Sequence, residues 1–135
     1  MRLAVSDLGF LFLLLAALCL ADPAAAQYRW PEQAQAAAED ARYAELLAAT
    51  EQIRSEANPI ADSSAAAQSK LLVDYVRSRY GSDSALYLRE LEAHARDLGG
   101  STESRLLYPE IIALSEVLHG KDSYEAGLAH LGYAQ

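Results

Sequence analysis

One kind of stop recurs along this chain and cuts it into helix-length pieces. Gly81-Ser82-Asp83-Ser84, Gly99-Gly100-Ser101-Thr102 and Gly120-Lys121-Asp122-Ser123 each set glycine just ahead of Ser, Thr or Asp. Glycine can close a helix in a left-handed conformation, and the short polar side chains that follow can cap the next one. Between the stops, apolar residues recur at intervals of three and four. Leu88, Leu91, Ala95 and Leu98 form one such stripe; Leu107, Ile111, Leu114 and Leu118 form another. The second stripe has Pro109 inside it, which predicts a separate first turn and a firm helix from about Tyr108. Upstream, Pro31 suits the first turn of a helix running to about Ala57, with Tyr43, Leu46, Leu47, Thr50 and Ile53 on its apolar side and Asn58-Pro59 as its stop. Ser63 or Ser64 opens a helix to Tyr80 carrying Leu72, Tyr75 and Val76. After Gly120, Asp122 and Glu125 resemble a capping box for a last helix with Tyr124, Leu128 and Leu131. No strand-like alternation interrupts these patterns. The expectation is all-α, about five antiparallel helices.

The N-terminus reads differently. Leu8–Ala21 is almost unbroken hydrocarbon, and Arg2 gives a positive charge ahead of it. A run of that length suits the apolar part of a secretory signal and falls short of the ~20 residues a spanning helix needs. Small-x-small sites end at Ala21 and at Ala26. The expectation is therefore a cleaved signal over residues 1–26 and a single helical domain over 27–135, in a bacterial periplasm or beyond, with no membrane span once the signal is gone. Cys19, the one cysteine, lies in the leader, so the domain has neither disulfide nor thiolate metal site. The whole chain carries a formal charge of −8. That argues against nucleic acid and anionic membrane as partners, since both select a basic footprint.

The turn at Gly81 and the turn at Gly120 are 39 residues apart, a period suited to stacked helical hairpins. The run from Gly99 to Gly120 resembles the second helix of a tetratricopeptide repeat of the kinesin-light-chain type. Leu107, Tyr108, Ile112, Leu114, Glu116, Gly120 and Asp122 match that pattern in register, and Leu91 and Ala95 fall where its first helix carries Leu and Ala. The likeness covers about residues 81–135. The period is about three residues short, the family's His-Pro after the Asp is replaced, and Pro109 is displaced by three positions. The resemblance implies a short hairpin array, with a groove for a protein or peptide lined by the first helix of each pair, and brings no catalytic residues. A closed helical bundle is the alternative architecture.

For chemistry, the sharpest cluster is Tyr87, Glu90, His94 and Asp97, at 0, +3, +7 and +10 on a face beside the Leu88 stripe. Such a face suits a partner-binding surface, with Trp30 as a further aromatic anchor. Glu90, His94 and Asp97 also have donor types that could serve a metal ion or acid–base chemistry. No second histidine stands near them, however, and no nucleophile elbow, zinc-protease motif or phosphate loop occurs. The leading expectation is a non-enzymatic interaction domain without cofactor or metal, its partner a protein, a peptide or a second copy of itself. A small enzyme or metal-binding protein using that face, and a helical carrier of an apolar ligand, are the rivals.

Overall fold

The computed structural model describes residues 23–56 and 63–134, and side chains from Pro31 onward. Among these residues it is all-helical, with six helices: α1 (Pro23–Glu39), α2 (Ala41–Glu56), α3 (Ser64–Tyr80), α4 (Ala85–Asp97), α5 (Thr102–His119) and α6 (Tyr124–Tyr133). Each helix from α2 onward packs on the next, and α1 lies against α2, α4 and α5. Contacts between distant residues fix the directions. Tyr43 in the first turn of α2 meets Glu90 in the middle of α4, and Arg54 near the end of α2 meets Asp97 at the end of α4. α2 and α4 therefore run in the same sense, with α3 returning between them.

The first expected helix is in fact two. The chain breaks at Asp40, whose Oδ1 accepts the backbone N–H groups of Arg42 and Tyr43, each at 3.0 Å. A carboxylate able to cap its own downstream residues competes with helix continuation. Here two more donors reinforce it: the Tyr75 hydroxyl, 2.8 Å from Oδ2, and the Tyr80 hydroxyl, 2.7 Å from the same oxygen. Both tyrosines come from the last turns of α3. α1 also begins upstream of Pro31, which sits inside it. Asn58-Pro59 and residues 1–22 lie outside the described residues.

Pro109 likewise sits inside a continuous α5 rather than marking a boundary. Its ring is on the exposed side, where water can satisfy the carbonyl one turn back. The helix is anchored on both sides of it. Ser101 accepts from the Ser104 N–H, the Ser104 hydroxyl donates to the Ala95 carbonyl at 2.9 Å, and Ile111, Leu114 and Leu118 enter the core.

The glycine stops behave as glycine alone permits. Gly81 has φ 92°, ψ 155° and Gly120 has φ 95°, ψ 150°, a region closed to residues with a Cβ. In each case the glycine N–H closes the helix on a carbonyl four residues back, and a serine three residues on caps the next helix. The caps are Ser84, Ser101 and Ser123; Asp122, read from sequence as the start of a capping box, is not the residue that does it.

α4 is the middle of the molecule. Leu86, Tyr87, Leu88, Glu90, Leu91, His94 and Ala95 are all buried, so it is covered on nearly every side and not along one stripe. At the other extreme, α6 packs on α5 through the small residues Ala126 and Ala129. Gly132 lets α6 come close: a Cβ there would stand 2.6 Å from the Tyr108 ring. Tyr124, Leu128 and Leu131, the apolar residues read from the sequence of this helix, are 76%, 47% and 62% exposed. Close approach is available only on the small-residue side, so the large apolar side chains are left outside.

Two outcomes test this account. Gly120→Ala introduces no clash and so isolates the backbone cost, about 1–3 kcal/mol in urea unfolding, whereas Gly100→Ala, with ordinary φ and open space, is neutral or stabilising by up to about 1 kcal/mol. The Asp40 carboxyl is held down to about 2 from 3.8, first by the Tyr43 N–H and then by the two tyrosine hydroxyls. Its contribution to stability is complete above about pH 4 and lost as pH falls toward 2. Asp40→Asn should lower the thermal midpoint at pH 7 and flatten the acid limb of the circular-dichroism titration.

Candidate functional site

The four residues read as a partner face do share one side of α4, but that side is turned inward. Tyr87 is 2% exposed, Glu90 4% and His94 8%. Each polar group is taken up by another part of the chain. The Glu90 carboxylate accepts the Tyr43 hydroxyl at 2.8 Å and the Arg89 Nε at 2.9 Å, and the Arg89 guanidinium also donates to the Tyr43 oxygen. The Tyr87 hydroxyl donates to Glu110 at 2.9 Å. His94 Nδ1 is 2.8 Å from the Ser69 hydroxyl of α3. Asp97 accepts from Arg54 through both its oxygens, with the shortest contact at 2.7 Å. The set is the polar lining of a helix core, and as a surface for a partner it is corrected. Trp30 stands within α1, and its side chain lies outside the described residues.

The same geometry corrects the metal reading. Glu90, His94 and Asp97 point to three different partners, and among the described residues no three His, Cys, Asp or Glu side chains gather around a common point. The electrostatics fit a structural role. Burial raises the Tyr43 hydroxyl pKa, with the neighbouring Glu90 adding to it, and pushes the Tyr87 hydroxyl up to about 12. Burial lowers the His94 pKa below 6.5, only partly opposed by Asp97.

What the fold leaves open lies next to this helix. α4 and α6 flank a hollow of about 250 Å³ whose floor is Tyr108 and Ile111 of α5. Its walls are Glu92, Ala95 and Arg96 on one side, and Leu128, Ala129 and Gly132 on the other. A second hollow of about 210 Å³ continues past Arg96, Gly99, Gly100, Arg105 and Tyr133. The Tyr108 and Tyr133 rings stand 6.2 Å apart, tilted at 57°. Neither Arg96 nor Arg105 is engaged in a side-chain hydrogen bond or close ion pair among the described residues, whereas Arg42, Arg54 and Arg89 all are. Burial raises the Glu92 pKa, an effect that Arg96 offsets in part. Sequence reasoning missed this groove. Glu92 and Arg96 are one turn apart on one helix and read as an ordinary exposed pair. Only the arrival of α6 turns their side of α4 into a wall.

Two measurements check the inward reading. Glu90→Ala leaves the buried Tyr43 hydroxyl without its acceptor and removes the carboxylate to which the Arg89 Nε donates, and should cost about 1–3 kcal/mol in urea unfolding. Because the folded pKa of His94 lies below its unfolded value, the unfolded chain binds the extra proton first. Stability should therefore fall as pH drops below about 6.5, a slope absent from His94→Gln. No protein-family model, no curated protein and no solved structure matches this chain.

Proposed function

We propose that the chain is an exported, non-enzymatic protein–protein interaction domain, a short tetratricopeptide-like array that takes a peptide segment of a partner in the groove between α4 and α6. The observation that carries the reading is the groove itself: an apolar floor between two helices, with Arg96 and Arg105 on its rim making no side-chain hydrogen bond or close ion pair among the described residues. Helices packed in succession, α2 and α4 running in the same sense, and two interhelix turns of one geometry are what a hairpin array requires. A hollow of about 250 Å³ lies below the roughly 300–1,000 Å³ of small-molecule sites and suits one large side chain better than a cofactor or lipid. The carboxylates and the histidine that could do acid–base work are held in the core by Tyr43, Arg54, Ser69 and Arg89.

The partner segment accordingly presents one aliphatic or aromatic residue to the Tyr108–Ile111 floor beside Leu128 and Ala129, with a carboxylate next to it for Arg96 and Arg105. Export rests on the Leu8–Ala21 run. Cleavage after Ala21 would leave α1 whole, and cleavage after Ala26 would remove its first four residues. No helix among the described residues is long and apolar enough to cross a membrane.

The test is selection from a random peptide library on the purified chain. Enriched peptides should share a large apolar residue next to Asp or Glu, and Arg96→Glu should weaken them at least tenfold while the helical circular-dichroism spectrum stays unchanged. An enrichment without that pattern, or one indifferent to Arg96→Glu, removes the groove from consideration.

A further inference from the structure

Six of the seven large apolar side chains that stand exposed among the described residues belong to α5 and α6: Leu106, Val117, Tyr124, Leu128, Leu131 and Tyr133. On α6 they are ordered. Tyr124, Leu128 and Leu131 fall at 0, +4 and +7 on the side away from Ala126, the spacing of a helix seam waiting for another helix. Leu128 stands at the edge of that side, where it also borders the α4–α6 hollow. Gly127 lies in the same exposed patch. Glycine is the least favourable residue in mid-helix after proline. Gly132 is explained by the Tyr108 ring pressed against it, but around Gly127 there is nothing within 4 Å of where a Cβ would be. Within one copy, the small size of Gly127 serves no contact.

We infer that this face of α6 is the interface of a homodimer, in which α6 packs antiparallel on α6 of a second copy. Three observations select a second copy as the occupant. First, the patch holds its own knob and its own hole. A pairing centred between Gly127 and Leu128 sets the Leu128 of each copy over the Gly127 of the other, and each Tyr124 level with the other copy's Leu131. A two-fold axis demands such self-complementarity, with one patch serving both sides. Second, in a chain of charge −8 a contact between two copies is least opposed where it brings no like charges together, and Tyr124, Gly127, Leu128 and Leu131 bring none. Third, α3 to α6 alternate in direction, each antiparallel to the one before. A two-fold puts a second α6 antiparallel to the first, so the succession α5, α6, α6, α5 continues the same packing across the axis. A helix of ten residues is only about 15 Å long, and its seam alone is smaller than the ~800 Å² per partner of a standard interface. The dimer is therefore weak, forming at concentrations of tens to hundreds of micromolar.

Sedimentation equilibrium of the purified chain from about 1 to about 300 μM tests it. The expected result is a reversible monomer–dimer equilibrium, with Leu131→Asp raising the dissociation constant at least tenfold and leaving the helical circular-dichroism spectrum intact. In a Cys19→Ser background, Leu128→Cys should oxidise to a covalent dimer, and Ala113→Cys on the outer side of α5 should not. A chain that stays monomeric at 300 μM overturns the inference. So does a dimer that persists in Leu131→Asp, or one that cross-links as well through position 113. Leu131 lies outside the α4–α6 hollow, so loss of the dimer with peptide selection unaffected separates this interface from the groove.

Discussion

A single carboxylate organises the first half of the molecule. Asp40 accepts from two backbone N–H groups of its own chain segment and from two tyrosine hydroxyls 35 and 40 residues away. The first pair ends α1 and starts α2. The second pair ties that joint to the far end of α3, which fixes where α2 lies. Tyr43 is three residues further on, and with the start of α2 placed, its hydroxyl reaches Glu90 in the centre of α4. Without the break at Asp40, α1 and α2 would form one rod, and α1 could not turn to lie against α4 and α5.

The core that results satisfies most of its buried polar groups, the Ser115 hydroxyl being an exception with no partner among the described residues. Glu90, His94, Ser69 and Thr50 are all buried, and each has a partner: Tyr43 and Arg89 for Glu90, Ser69 for His94, and the Leu46 carbonyl for Thr50. A buried polar group is costly only when its partner is missing. Tyr43–Glu90 joins α2 to α4 and Ser69–His94 joins α3 to α4, so these pairings carry a directional bond besides their apolar packing, while the Thr50 bond stays within α2. In a domain with no disulfide, those bonds set register where hydrocarbon contact alone permits sliding.

How much of this was legible follows from how far each determinant reaches along the chain. The helix stops were legible because Gly81 and Gly120 act within four residues of themselves. The stripes on α3, α4 and α5 were legible because Leu72, Leu91 and Ile111 repeat at helical spacing. The split at Asp40 was not, since part of what stabilises it comes from Tyr75 and Tyr80. The inward turn of Glu90 and His94 was not either: charged and titratable residues at helical spacing read as a solvated face, and the partners that overturn this stand 47 and 25 residues away. On α6 the apolar pattern does not mark the packed side. Tyr124, Leu128 and Leu131 have core spacing, but the close packing is made by Ala126, Ala129 and Gly132, whose small size carries little hydrophobic signal. The α4–α6 groove was hidden for the same reason, being defined by the space that those small residues leave.

The preference for tyrosine over phenylalanine has one further effect. Tyr43, Tyr75, Tyr80 and Tyr87 all donate their hydroxyls to carboxylates, and in each the pKa is raised, to about 12 for Tyr80 and Tyr87. A phenol that already gives its proton's hydrogen bond to an anion has no reason to release it. Four of the chain's eight tyrosines are thus shifted upward from the range in which free phenols ionise. The ultraviolet signature of phenolate formation becomes a built-in reporter of the fold. While the helices are docked, those four phenols ionise later than free ones as pH rises, and the loss of that delay marks the moment the carboxylates let go.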